Sequence, residues 1–319
     1  MAWGDWDRDR GGSRVPAGSA LGRVRHGWPG AARTADRRER RLQGWETLVV
    51  LSIFPLSATF DAALLMAEHL ASSQPVVGSA VEPQIGLWLP LIFGILEALL
   101  PLSAVFLVWY LLARSGETFR SINLGERRWR TDLAFLLPVF LVVFVVPQWF
   151  GRGIMDWGGI HPFEVYGVPL PTEWAEVLSW CARGLQSGIV EEIVVLGYLV
   201  RRLEQRGWPW GWIVVADVAV RVSYHVYYGP GVVPIALWAT VSVLVYLRIR
   251  RLLPFIVSHV AYDVGLEIRG AYHDLYLVLA IAGFVAGLAF TVLWARWAPV
   301  SAPTVPWSTG EEEPGGVSP

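Results

Sequence analysis

Lysine is missing altogether from the 319-residue chain, so every positive side chain apart from histidine is a guanidinium, which stays charged. There is one cysteine, Cys181. That rules out an intramolecular disulfide and a cysteine-rich metal site, and leaves Cys181 to be read as a small buried hydrophobe. No HExxH pair occurs, so the two-histidine helix of zinc hydrolases is absent. No solenoid-type repeat is visible. The residues before the first apolar stretch lack the charged, apolar and small-residue succession of a secretory signal. Charged residues are only 17% of the chain, and the formal net charge is −1.

What the chain has instead is grease. Apolar residues make up 54%, tryptophan occurs 18 times and the mean hydropathy is +0.44, too apolar and too aromatic for a soluble domain. Stretches long enough to cross a hydrocarbon core of ~30 Å lie at about 47–71, 85–113, 132–150, 174–200, 210–228, 231–247, 252–268 and 274–297. The expected fold class is therefore all-α, a polytopic membrane helical bundle of about eight transmembrane helices. The near-neutral total hides an asymmetry. Ten arginines fall in residues 8–41, five in 114–130, three in 201–206 and three in 248–251, whereas 72–84 and 229–231 have none, 151–171 has only Arg152 and 269–273 only Arg269. Arginine accumulates on the cytoplasmic side, so the pattern gives one alternation, with both termini cytoplasmic. Residues 1–44 read as a disordered, Arg-rich tail that sets topology or touches anionic headgroups. Residues 299–319 read as an acidic tail. The long outer loop GRGIMDWGGIHPFEVYGVPLPTEW is expected to lie at the interface, with His161 and Glu164 as its polar candidates.

An ionised carboxylate at mid-bilayer costs ~2.5–3.5 kcal/mol on insertion scales, so intramembrane charges need partners. Asp61, Glu68 and Glu97 in the first two spans read as packing or interhelical hydrogen-bond residues. The rest cluster later: Arg183, Glu191, Glu192, Asp217, Arg221, His225, His259, Asp263 and Glu267. Gly207 and Pro209 place a turn at RGWPWG, residues 206–211. Antiparallel helices rise equally per residue, so Glu191 and His225, each 17 positions from Trp208, share one depth across that hairpin. Gly184 and Gly188 form a small-xxx-small pair that lets a neighbouring helix approach at this level. His259 and Asp263 stand at i, i+4 on one face of the seventh span, at roughly the depth of Glu191.

Four explanations suit such a cluster: a structural salt-bridge knot, a proton or ion pathway, a metal site built from the histidines and carboxylates, and acid-base catalysis on a bound water. The motifs add a resemblance. EEIVVLGYL (Glu191, Glu192, Gly197), RVSYH (His225) and HVAYD (His259, Asp263) are similar, in order and on the corresponding spans, to the EExxxR, FxxxH and HxxxN/D motifs of the CPBP intramembrane proteases, the CAAX-protease and bacteriocin-processing family. The likeness covers about residues 173–268, which makes 45–172 an N-terminal set of spans with an outer loop and 269–298 a last span.

The resemblance implies an intramembrane endopeptidase in the cell membrane of a prokaryote, acting on membrane-associated peptides or proteins, with the lipid bilayer as surroundings and no nucleic acid as partner. It implies that Glu191 and His225 hold and deprotonate a water, while His259 and its partner stabilise the oxyanion. Glu192, turned ~100° from Glu191, orients a neighbour or contacts substrate, and Asp263 either fixes the His259 tautomer or is protonated. Arg221 and Asp217 are supporting residues. No cofactor is expected, although the family is often labelled metalloprotease and zinc is the alternative. Two positions depart from the motifs: Leu196 replaces the arginine, and Arg221 replaces the phenylalanine. Serine-type and aspartyl-type sites fit less well, since GLQSG (184–188) lacks a convincing partner histidine and no Gly-x-Gly-Asp occurs. A non-catalytic scaffold or an ion-coupled transporter of the same fold is the competing class.

Overall fold

A computed structural model describes residues 37–72, 88–125, 129–162, 174–271 and 273–297. The described residues are helical throughout, without a strand, and form eight rods. The first is α1 (Arg37–Leu51) joined to α2 (Ser57–Ser72) through a π turn at Ser52–Leu56. The second is α3 (Trp88–Arg114), followed by a short 3₁₀ turn at Phe119–Ile122. The third joins α4 (Trp129–Val139) to α5 (Val146–Trp157) through a π turn at Phe140–Val145. The fourth runs from α6 (Trp174–Glu191) through a π segment, Glu192–Leu199, into α7 (Val200–Gln205). Then come α8 (Trp210–Ser223), a 3₁₀ segment Val226–Gly231 leading into α9 (Val232–Ile249), α10 (Leu253–Ala271) and α11 (His273–Trp297). The first two π turns have a simple cause. Pro55 lies inside one and Pro147 two residues after the other, and a proline removes an N–H and crowds the preceding turn.

The rods follow the eight apolar stretches. By length and composition, three are clear membrane-span candidates: Arg41–Ala71, Trp129–Trp157 and Val226–Ile249. The fourth rod is interrupted by its two glutamates. With 14 residues, α8 rises only ~21 Å, less than the ~30 Å core.

Three expectations need correction. The first rod starts at Arg37, so residues 37–44 are helix rather than tail, because arginine is a good helix former. Residues 151–157 continue α5 and are not loop; Gly151 is there because a Cβ would meet Pro234 Cα of α9 at 2.6 Å. The fifth span does not run unbroken to residue 228, since its helix stops at Ser223. The expected tails at 1–36 and 299–319, and the loop residues 73–84 and 163–171, lie outside the described residues.

One end of the bundle is tied by arginine. Arg114 pairs with Glu46 and, at 3.6 Å, with Glu39. Arg201 and Arg202 both grip Glu117, at 2.9 and 2.8 Å. Arg250 meets Glu204 at 2.6 Å and Arg251 meets Asp132 at 2.5 Å. The helix ends that the arginine counts group together are therefore neighbours in space. At the centre stands the fourth rod, flanked by α3 and α10. Lipid tails are as apolar as leucine, so close packing holds such helices together. The glycines set that distance: a Cβ on Gly188 would sit 2.7 Å from Val260 N, and one on Gly184 would sit 3.2 Å from Asp263 Cβ.

Candidate active site

Glu191 closes α6, and Glu192 opens the π segment behind it. Across the hairpin, α8 ends in a way that shapes the site. The His225 N–H turns to Val222 O at 3.0 Å, which would orphan the Arg221 carbonyl, and a buried carbonyl needs a donor. The His225 ring supplies it, Nδ1 lying 2.8 Å from Arg221 O. A carbonyl only accepts, so Nδ1 carries the hydrogen, and in neutral imidazole the Nε2 lone pair is left over. The chain then turns through Gly229, at φ 57°, a left-handed conformation that glycine adopts without strain.

Arg221 is the hub. Fully buried, it donates Nη2 to Glu192 Oε2 at 3.0 Å and Nη1 to Glu192 Oε1 at 3.2 Å, with Nε to Asp217 Oδ2 at 3.3 Å. Nη1 also reaches Glu191 Oε2 at 3.5 Å, and the guanidinium carbon lies 4.5 Å from the Trp238 ring centre. The first contact pair is the two-pronged geometry that a planar guanidinium favours. Glu192, equally buried, accepts from His259 Nδ1 at 2.8 Å. His259 Nε2 stands 3.5 Å from Asp263 Oδ2, and Ser187 donates a short hydrogen bond to that same oxygen. Glu191 Oε2 accepts from the Tyr224 hydroxyl at 2.7 Å.

Glu191, His225, His259 and Asp263 line a cavity of about 510 Å³, together with Trp238, Tyr228, Tyr262 and residues of α5. Glu192, Asp217 and Arg221 are not among its lining residues. The seven candidates thus sort into a face and a backing. The recorded bonds of Glu191 go to Tyr224 and Arg221, so its relation to His225 is a shared cavity rather than a direct bond. Glu192 bonds Arg221 and His259 and has no exposed surface. The closer hold on His259 comes from Glu192, not Asp263. Arg221 does not merely neutralise Asp217; it spans α8 and the fourth rod. Leu196 is fully buried in the apolar core.

Other intramembrane charges stand apart. Asp61 and Glu68 are on an exposed face of α2, and Arg183 lies near the Trp180 ring at 5.8 Å. His161 is exposed; Glu164 and the side chains of Glu97 and Glu267 lie outside the described residues. Sequence reasoning missed three contributors: Tyr224, Ser187 and Trp238. A signal existed for two, since Tyr224 precedes His225 and Ser187 is four residues before Glu191 on the same helical face.

A catalytic zinc takes three protein ligands and an open position. His259 Nδ1 is bonded to Glu192, and the ligand atoms facing the cavity come from Glu191, His225, Asp263 and His259 Nε2, which stands 3.5 Å from Asp263. Among the described residues no group of three or more His, Cys, Asp or Glu is disposed to hold a metal ion. As placed, these side chains do not form the three-ligand set of a catalytic zinc.

Fold and site together define a membrane-embedded helical protein with a carboxylate-imidazole cluster at an internal cavity. Residues 173–265, from the start of α6 through most of α10, match the family described as Type II CAAX prenyl endopeptidase Rce1-like, and over that segment the chain is similar to the CAAX proteases. No curated protein and no solved structure matches the chain.

Proposed function

We propose that this protein is an intramembrane endopeptidase that hydrolyses peptide bonds of membrane-associated substrates with a water activated by Glu191 and His225. The observation that carries this reading is the occupancy of the second atom of each group. Tyr224 fills one oxygen of Glu191 and the Arg221 carbonyl fills Nδ1 of His225, so Oε1 and Nε2 are left for a water in the cavity they both line.

Such a water gives one hydrogen to each group and turns an oxygen lone pair to the scissile carbonyl. Glu191 takes the proton as the C–O bond forms and returns it to the amine nitrogen as the C–N bond breaks, the ordinary cycle of a general base. With the Nδ1–H of His259 committed to Glu192, an N–H at Nε2 requires the imidazolium form, whose charge the two flanking carboxylates balance. That N–H is the donor available to the developing oxyanion. Ser187 is bonded to Asp263 and not to a histidine, an arrangement unsuited to a serine nucleophile, which needs an adjacent base.

The test is cleavage of a fluorogenic transmembrane peptide by purified protein, wild type against Glu191→Ala. Cleavage by the first alone supports the reading. Cleavage by neither favours a non-catalytic scaffold or an ion-coupled transporter.

A further inference from the structure

The cavity mouth and the paired arginines Arg114, Arg201, Arg202, Arg250 and Arg251 lie toward opposite ends of the bundle. Toward the arginine-rich end the site is sealed: Ile193–Val200, a rise of roughly 12 Å, are all buried. Ile122 and Leu252, both at 0% exposure, close over Gly197, where a Cβ would meet Leu252 at 2.9 Å and Ile122 at 3.2 Å. Beyond them the paired arginines of α7 and the α9–α10 turn fill the end. Toward the other end the lining continues outward from Gln148 through Arg152, Asp156, Pro162, Gly231 and Leu266. Beyond Gln148, in the first turn of α5, these residues belong to the C-terminal halves of α5 and α10, the stretch just after α5 and the turn before α9, where Arg152 and Arg269 are the arginines present. Asp156, Pro162 and Leu266 are exposed.

The side on which a substrate arrives follows. We infer that the cavity admits its substrate from the non-cytoplasmic face, so that the polypeptide cut is a translocated segment presented at the outer leaflet and not a cytoplasmic tail. The inference rests on the peptidase reading for the word substrate and on the positive-inside rule for the side. A cytoplasmic tail would have to pass the buried Ile193–Val200 layer to bring a carbonyl to Glu191, whereas a segment on the opposite face meets only the cavity mouth.

The test reads sidedness without reading activity. In full-length protein carrying Cys181→Ala, Pro162→Cys and Asp156→Cys report the mouth and Arg120→Cys reports the arginine-rich end. A membrane-impermeant maleimide is applied to intact and to permeabilised cells or spheroplasts. The expected result is labelling of both mouth variants in intact cells, at least tenfold above Arg120→Cys, which labels only after permeabilisation. Equal labelling of the two ends, the reverse order, or mouth variants that stay unlabelled in permeabilised cells would each overturn the inference. Expected labelling with no peptidase activity removes the peptidase reading and leaves the sidedness standing. Peptidase activity with reversed labelling does the opposite.

Discussion

Arg221→Met is the most informative single change to the packing of this protein. Arg221, Glu192 and Asp217 all have side chains at 0% exposure. The substitution keeps an unbranched apolar stem but removes the guanidinium, so it loses the stacking on Trp238 and strands two carboxylates without their cation. Breaking a buried ion pair by removing one partner costs about 3–5 kcal/mol, and the desolvation of two carboxylates puts this case at the upper end. Against a total stability on the order of 5–15 kcal/mol, that is a large fraction. The measurement is thermal or denaturant unfolding of detergent-solubilised protein, followed by size-exclusion recovery. Because the single variant can fail to accumulate, the decisive member is Arg221→Met with Glu192→Gln and Asp217→Asn, which removes the stranded charges and should recover more than half the loss. A single variant within about 1 kcal/mol of wild type, below the usual cost of breaking a buried pair, would refute the reasoning; so would a triple variant no better than the single. The same assay tests whether the motif arginine missing at Leu196 has been replaced across the hairpin. Leu196→Arg should damage the native protein, whose glutamates already hold a guanidinium, and should help an Arg221→Phe background.

Tyr224→Phe removes the hydroxyl on Glu191, a bond to a charged group in a class worth about 1.5–3 kcal/mol; kcat/KM should fall at least about tenfold, and an unchanged value would mean Tyr224 does not hold the base. Gly188→Ala places a Cβ 2.7 Å from Val260 N, and overpacking of this kind costs about 1–3 kcal/mol, so unfolding should shift accordingly; no shift would show that α6 and α10 are not in close contact. Metal analysis of active protein should find no stoichiometric zinc and chelators should leave the rate unchanged, whereas activity lost to chelator and restored by zinc would contradict the donor-set argument.

Much of this site was legible because it obeys two simple periodicities. Equal helical rise across a hairpin led to the expectation that Glu191 and His225 meet, and they line one cavity; the i, i+4 spacing joined His259 to Asp263. The glycine pair 184/188 marked the close approach before its partner was known. What escaped the sequence were features decided by tertiary hydrogen bonding. Nothing in RVSYHVYY marks Ser223 as the end of a helix; the end depends on the His225 ring capping the Arg221 carbonyl. Glu192 could not be separated from Glu191 by residue type, and only the placement of Arg221 and His259 behind it turns it away from the cavity. The π geometry of Glu192–Leu199 has no proline to announce it, and neither does its role beside the site, though such wide turns occur often at functional positions.

The central claim is that Glu191 takes a proton from the attacking water, and Glu191→Gln puts it most directly to the test. The amide keeps the size of the carboxyl group and can still accept the Tyr224 hydrogen bond, but it is not a base. Single-turnover cleavage of a fluorogenic transmembrane peptide by folded Glu191→Gln should be slower than wild type by ~10²–10⁴-fold. A rate above about a tenth of wild type, far outside that expected loss for a general base, would contradict the assignment.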